Sequence, residues 1–175
     1  MQADGKDFAG AIATYSVAMQ NLQNAPDASD LLLGRGIAYA RSGDLARAEK
    51  DFTAARGKVT DAAGFNNMCW SKATAGVALE SALADCNAAL ANSPENPGFL
   101  DSRGLVLLRL GRIEDSLSDY NKALTKNPSL PSSLFGRAVA WARKGDQAKS
   151  DADATAALKI DPDVRADFER YGVKM

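Results

Sequence analysis

The chain contains no histidine at all. That removes the side chain most used for proton transfer near neutral pH and the commonest metal ligand. Cysteine occurs only as Cys69 and Cys86, in no metal-binding spacing. Charge of either sign is not in excess: 21 Lys plus Arg face 22 Asp plus Glu, for a net charge of -1. A near-neutral chain offers no electrostatic grip on nucleic acid or an anionic membrane. No apolar run approaches the roughly 20 residues needed to span a bilayer. The opening Met1 to Asp7 is polar and lacks the apolar segment of a secretion signal. Glycine-rich phosphate loops, nucleophile elbows and metal-ligand clusters are missing too. Carboxylates such as Glu114 and Asp115 fall where solvated helix faces are expected. No enzyme, no cofactor, no metal, no nucleic acid and no membrane insertion are therefore expected.

What the chain does have is a period. Asp51, Asp85, Asp119 and Asp153 recur every 34 residues. Phe52, Cys86, Tyr120 and Ala154 follow them, and Ala55, Ala89, Ala123 and Ala157 lie three further on. Pro94, Pro128 and Pro162 keep the same spacing, and Gly43, Gly111 and Gly145 mark a turn earlier in the unit. Each unit reads as two amphipathic helices around the turn glycine, with apolar residues three and four apart. Glycine ends the first helix, and proline closes the second by withholding an amide donor. No alternating β pattern appears, so the predicted class is all-α.

This 34-residue helix-turn-helix unit resembles the tetratricopeptide repeat (TPR). Gly104, Leu107, Gly111, Ser116, Tyr120, Ala123 and Pro128 carry the resemblance in one unit. Ala138, Trp141, Gly145, Ser150, Ala154, Ala157 and Pro162 carry it in the next. Gly36, Tyr39, Gly43, Ala48, Phe52 and Ala55 carry it in the first full unit, where Thr60 replaces the usual proline. The resemblance implies an α-solenoid wound as a right-handed superhelix and a non-enzymatic role in binding a peptide or protein segment, and a bacterial source is expected. It names no partner, because one fold serves many.

The predicted organisation is a single TPR domain over 1–175. It comprises a half repeat over 1–28, repeats over 29–62, 63–96, 97–130 and 131–162, and a capping helix over 163–175. Phe8, Ala11, Ile12, Tyr15 and Ala18 match the second helix of a unit whose first helix is missing. A chain cut from a longer protein is expected, with a divergent N-terminal cap as the alternative. The exposed N-terminal helix also makes homo-oligomerisation, or a structural role within a larger protein, the alternative function. Polar substitution at Ile12 or Tyr15 would test it.

The 63–96 repeat departs from its siblings. Rigid phasing places bulky Trp70 where Gly36, Gly104 and Ala138 stand. Shifting its first helix by one residue places Cys69 there instead, adds a residue to the turn Ala75–Ala78, and turns Trp70 toward the groove. The shifted register is favoured. Cys69 and Cys86 then lie on facing helices, and two readings stand open. A disulfide would imply a periplasmic or otherwise exported protein. Two buried thiols acting as small hydrophobes would leave a cytoplasmic one.

Three ion pairs are expected between facing helices, each across sixteen residues: Arg35–Asp51, Arg103–Asp119 and Arg137–Asp153. The 63–96 repeat has no such arginine. The concave face, lined by the first helix of every unit, offers Leu33, Ile37, Arg41, Asn67, Trp70, Thr74, Asp101, Leu105, Arg109, Phe135, Val139 and Arg143. That mixture of apolar anchors with three arginines suits an extended or helical segment with apolar and acidic side chains. A solvated arginine edge over partly covered core is the plainer alternative. The carboxylate clamp of chaperone-binding TPR domains is not expected: Leu33, Ile37, Gly98 and Ser102 stand where its Lys, Asn, Lys and Arg would be, and only Asn67 could match.

Overall fold

The structure is a computed structural model that describes residues 7–21 and 28–175. Parts of the predicted half repeat, residues 1–6 and 22–27, lie outside the described residues. Those described form ten helices and no strand: α1 Phe8–Asn21, α2 Ala28–Ser42, α3 Leu45–Arg56, α4 Ala62–Ala75, α5 Leu79–Asn92, α6 Pro97–Arg109, α7 Ile113–Lys126, α8 Pro131–Lys144, α9 Gln147–Ile160 and α10 Val164–Arg170.

Local chemistry sets the helix ends. The carboxylates of Asp44, Asp61 and Asp146 each accept from the backbone amide three residues on, satisfying an orphan donor. Asn96 does the same for Gly98 and Phe99. Pro97 and Pro131 occupy first-turn positions, where no amide is needed. Gly145 ends α8 at φ +89°, in the left-handed region that spares only glycine a steric penalty.

The helices pack as antiparallel pairs, α2 with α3, α4 with α5, α6 with α7 and α8 with α9. In α2–α3 and α6–α7, close approach depends on a glycine facing a ring. A Cβ on Gly104 would stand 2.8 Å from the Tyr120 ring, and one on Gly36 would stand 2.7 Å from the Phe52 ring. The chain divides into two compact units, residues 1–60 and 61–175. In the first, α1 covers α2 and Tyr15 lies against Gly34, while Leu32, Leu33, Ala38, Tyr39, Ala48, Phe52 and Ala55 are buried. In the second, one apolar cluster runs from Cys69 and Ala73 through Leu105, Leu108 and Phe135 to Phe168 and Val173.

Candidate functional site

Within residues 61–175 the first helices of the pairs form a row: α4 packs on α6, and α6 on α8. The second helices α5, α7 and α9 have no comparable mutual packing. The row α4–α6–α8 is therefore the inner, concave side of this unit. Short α10 packs against α8 and α9 and ends at Arg170.

The residues after α10 cross toward α4. Phe168 meets the Phe135 ring of α8 edge-on at 5.0 Å between centroids, and Tyr171 meets Trp70 of α4 in the same way at 5.8 Å. Arg109 of α6 donates through Nη1 to the Tyr171 carbonyl. Val164, Phe168 and Val173 are buried. Between these elements remains a cavity of about 360 Å³. Its walls include Trp70, Phe168 and Tyr171, with Asn66, Asp101, Ser102, Ser132, Asp161 and Asp167 supplying the polar part. Asp101 accepts from Ser132 at 2.9 Å and from Ser133 at 2.5 Å. Burial pushes its carboxyl up to about 6 against the pull of those two hydroxyls.

The residues assigned to the groove from sequence divide sharply. Leu105, Phe135 and Val139 are core, at 1%, 2% and 0% exposure, and so is Leu33 in the first unit. They sit on the inner helices, but the α4–α6–α8 row is tight enough for neighbouring helices to cover them. Trp70 is half-buried with Tyr171 against it, so its indole is not open in the way expected. Asn67 is exposed, and the Thr74 hydroxyl donates to the Trp70 carbonyl. Arg109 and Arg143 do not present a free cationic edge: Arg143 donates to the Leu108 carbonyl at 2.7 Å, as Arg109 does to Tyr171. Ile37 and Arg41 line a separate cavity of about 280 Å³ in the first unit, with Phe8, Ala11 and Tyr15.

Ion pairs brace the hairpins. Arg35 grips Asp51 through Nε and Nη2 at 2.7 and 2.9 Å. Arg103 grips Asp119 at 2.6 and 2.9 Å, and Arg137 grips Asp153 at 2.7 and 2.7 Å. Arg103 and Arg137 also donate to Asn87 and Asn121 on the second helix of the preceding pair, tying one repeat to the next.

Cys69 and Cys86 form a disulfide with Cα atoms 5.2 Å apart. Cys69, rather than Trp70, faces the second helix at the place of Gly36 and Gly104. The separation from Cys69 to Cys86 is 17 residues, one more than Gly36 to Phe52 or Gly104 to Tyr120. The extra residue sits in the turn, where Ala78 takes φ +47°.

Sequence reasoning missed one pair. The 63–96 repeat lacks the arginine, yet its Asp85 is not alone: Lys72 Nζ donates to it at 2.7 Å and to Ser81 at 2.9 Å. Both side chains are almost wholly buried, at 1% and 0%. The signal was available. Asp85 shares the 34-residue phase of three buried carboxylates, and Lys72 is the sole charged residue in α4.

The tetratricopeptide-repeat profile matches residues 2–64 and 102–164, well over half of the chain. The chain belongs to the tetratricopeptide-repeat family. Solved structures agree on the fold. A TPR protein from Parabacteroides merdae superposes with a TM-score of 0.61 at 24% identity, over 96% of this chain and 66% of that one. MamA from Desulfovibrio magneticus superposes at 0.61 with 18% identity, over 90% of this chain and 87% of its own. YrrB, a TPR protein with an unusual peptide-binding site, superposes at 0.59 with 17% identity, over 93% and 82%. No curated protein matches the sequence. The fold is thus an all-α TPR solenoid, an architecture that is typically non-catalytic.

Proposed function

We propose that this chain is a peptide-binding adaptor that uses the inner face of α4, α6 and α8. The observation that carries the reading is the cavity there. It sets aromatic walls from Trp70, Phe168 and Tyr171 beside a polar side of Asn66, Asp101, Ser102, Ser132, Asp161 and Asp167, so apolar anchors and convergent polar groups face one space. The peptide-binding site of YrrB, on the same fold, supports it. The test is to pan a displayed peptide library against the disulfide-bonded full chain. Enriched peptides should lose binding to Trp70→Ala and Asp101→Asn chains that remain helical by circular dichroism. Enrichment indifferent to both substitutions, or none at all, would reject the reading.

Self-assembly is the second reading. Phe8, Ile12 and Tyr15 of α1 are only half-buried and Val17 is 57% exposed. Light scattering separates the two: a dimer dissolved by Ile12→Asp favours assembly, and a monomer that holds peptide favours the adaptor.

An exported location accompanies the disulfide, since cytosolic thiols stay reduced. Thiol counting on the denatured, non-reduced protein from its native host should find none free. Two free thiols would place it in a reducing compartment. No helix among the described residues is long and apolar enough to cross a membrane.

A further inference from the structure

The surfaces that a partner would use are already occupied by the chain itself. Trp70, Arg109 and Phe135 lie on three successive inner helices, and each is engaged by the C-terminal segment: Trp70 by the Tyr171 ring, Arg109 by the Tyr171 carbonyl and Phe135 by the Phe168 ring. The segment has the form of a ligand. Val164, Phe168 and Tyr171 stand at i, i+4 and i+7, one stripe of an amphipathic helix, while Glu169 and Arg170 face solvent and the Arg165 guanidinium lies over the Phe135 ring at 5.5 Å. Val173 adds a fourth anchor beyond Gly172. This is helix-in-groove recognition within one molecule.

The segment is also built to leave. α10 has seven residues, well under the roughly 12–15 at which an isolated helix holds together in water. It follows α9 in the chain, so its departure breaks no connection among α4–α9. The short link Asp161–Pro162–Asp163 holds it at an effective concentration in the millimolar range, enough to keep weak competitors out. Departure would uncover Trp70 and Phe135 together.

We infer that residues 164–173 are an internal ligand of the α4–α6–α8 groove, and that the external partner is an amphipathic helix with large apolar side chains at i, i+4 and i+7. The inference rests on the peptide-binding reading above and adds the class of peptide and its competitor: Phe168 and Tyr171 are the internal ligand's own side chains, and an external helix would take their place against Trp70, Arg109 and Phe135.

The test uses the full chain and a fluorescein-labelled synthetic peptide of residues 161–175, followed by anisotropy. A full chain carrying Phe168→Ala and Tyr171→Ala should bind this peptide at least about tenfold more tightly than the wild-type chain, because the tethered competitor is weakened. The peptide with the same two alanines should not bind. Equal affinity for both chains, or no binding by a double variant that is folded by circular dichroism, overturns the inference. If the double variant does not fold, hydrogen exchange on the wild-type chain decides. Amides of 164–173 should exchange at least about tenfold faster than those of α6 and α8, through local opening. Exchange only with global unfolding would make α10 a fixed cap and overturn the inference. Library peptides that bind through Trp70 while 161–175 does not would refute this inference alone; failure of both would refute the adaptor reading as well.

Discussion

At the scale of single residues, the most consequential group is Lys72. Its ammonium and the Asp85 carboxylate are both removed from water, so neither can be rehydrated when the other is lost. Lys72→Ala should cost about 3–5 kcal/mol in urea unfolding, because it strands a buried carboxylate. Lys72→Met combined with Asp85→Leu should recover most of that loss, since well-packed apolar replacements remove both desolvation costs. Arg103→Ala should cost less than Lys72→Ala, because the Arg103 side chain is 25% exposed and water can reach the carboxylate it leaves behind. Asp101 acts in the opposite sense. Its carboxyl titrates near 6 in the folded chain against 3.8 ordinarily, so the folded state holds more protons between those values. Its contribution is therefore most favourable below about pH 4 and is lost as pH rises through about 6, a change of up to about 3 kcal/mol. The Asp101→Asn chain should show a flatter stability profile over that window, measured by urea midpoints. An unchanged slope would mean that Asp101 is hydrated in solution.

At the scale of one element, the α4–α5 hairpin combines a weakness with two remedies. Cys86 stands where Phe52 and Tyr120 fill space in sibling hairpins, so ring packing is lost. The disulfide and the Lys72–Asp85 pair hold the two helices together instead. Closing this short loop contributes about 3 kcal/mol in the chain-entropy estimate. Reduction under non-denaturing conditions, or Cys69→Ala with Cys86→Ala, should lower stability by roughly that amount. The extra residue in the turn has its own cost. Ala78 adopts φ +47°, where an L-residue with a Cβ is disfavoured by about 1–2 kcal/mol. Ala78→Gly should therefore stabilise the chain by about 1 kcal/mol, less the entropy glycine gains in the unfolded state. A destabilised Ala78→Gly chain would show that this turn is not strained.

At the scale of the molecule, the two compact units differ in how they are held. Residues 1–60 are short for an independent core, and no disulfide occurs among their described residues. Residues 61–175 contain the disulfide, the buried ion pair and the larger cluster. Both tryptophans, Trp70 and Trp141, belong to the second unit. Fluorescence therefore reports that unit alone, whereas far-UV circular dichroism reports every helix. In a repeat protein stability is a sum of local terms, so the two probes should not coincide. The circular-dichroism midpoint is expected at lower urea than the fluorescence midpoint, and superimposable curves would make the chain a single cooperative unit.

The sequence by itself determined the repeat, its helices and their turns, because a 34-residue period imposes the same small-to-large packing on every hairpin. The facing of Gly104 on Tyr120, and the places of Asp51, Asp119 and Asp153, follow from spacing alone. Spacing did not reveal Lys72 as the partner of Asp85, since that pair spans 13 residues and breaks the pattern of its siblings. Nor did it show which inner-face residues are open. Leu105, Phe135 and Val139 carry the right period for a groove, but exposure depends on how tightly successive helices stack. The return of residues 164–173 across α8, α6 and α4 was decided by tertiary structure alone. Tyr171 and Trp70 stand about a hundred residues apart in sequence, and only the side-by-side packing of α4, α6 and α8, with the chain held across them after α10, brings their rings together.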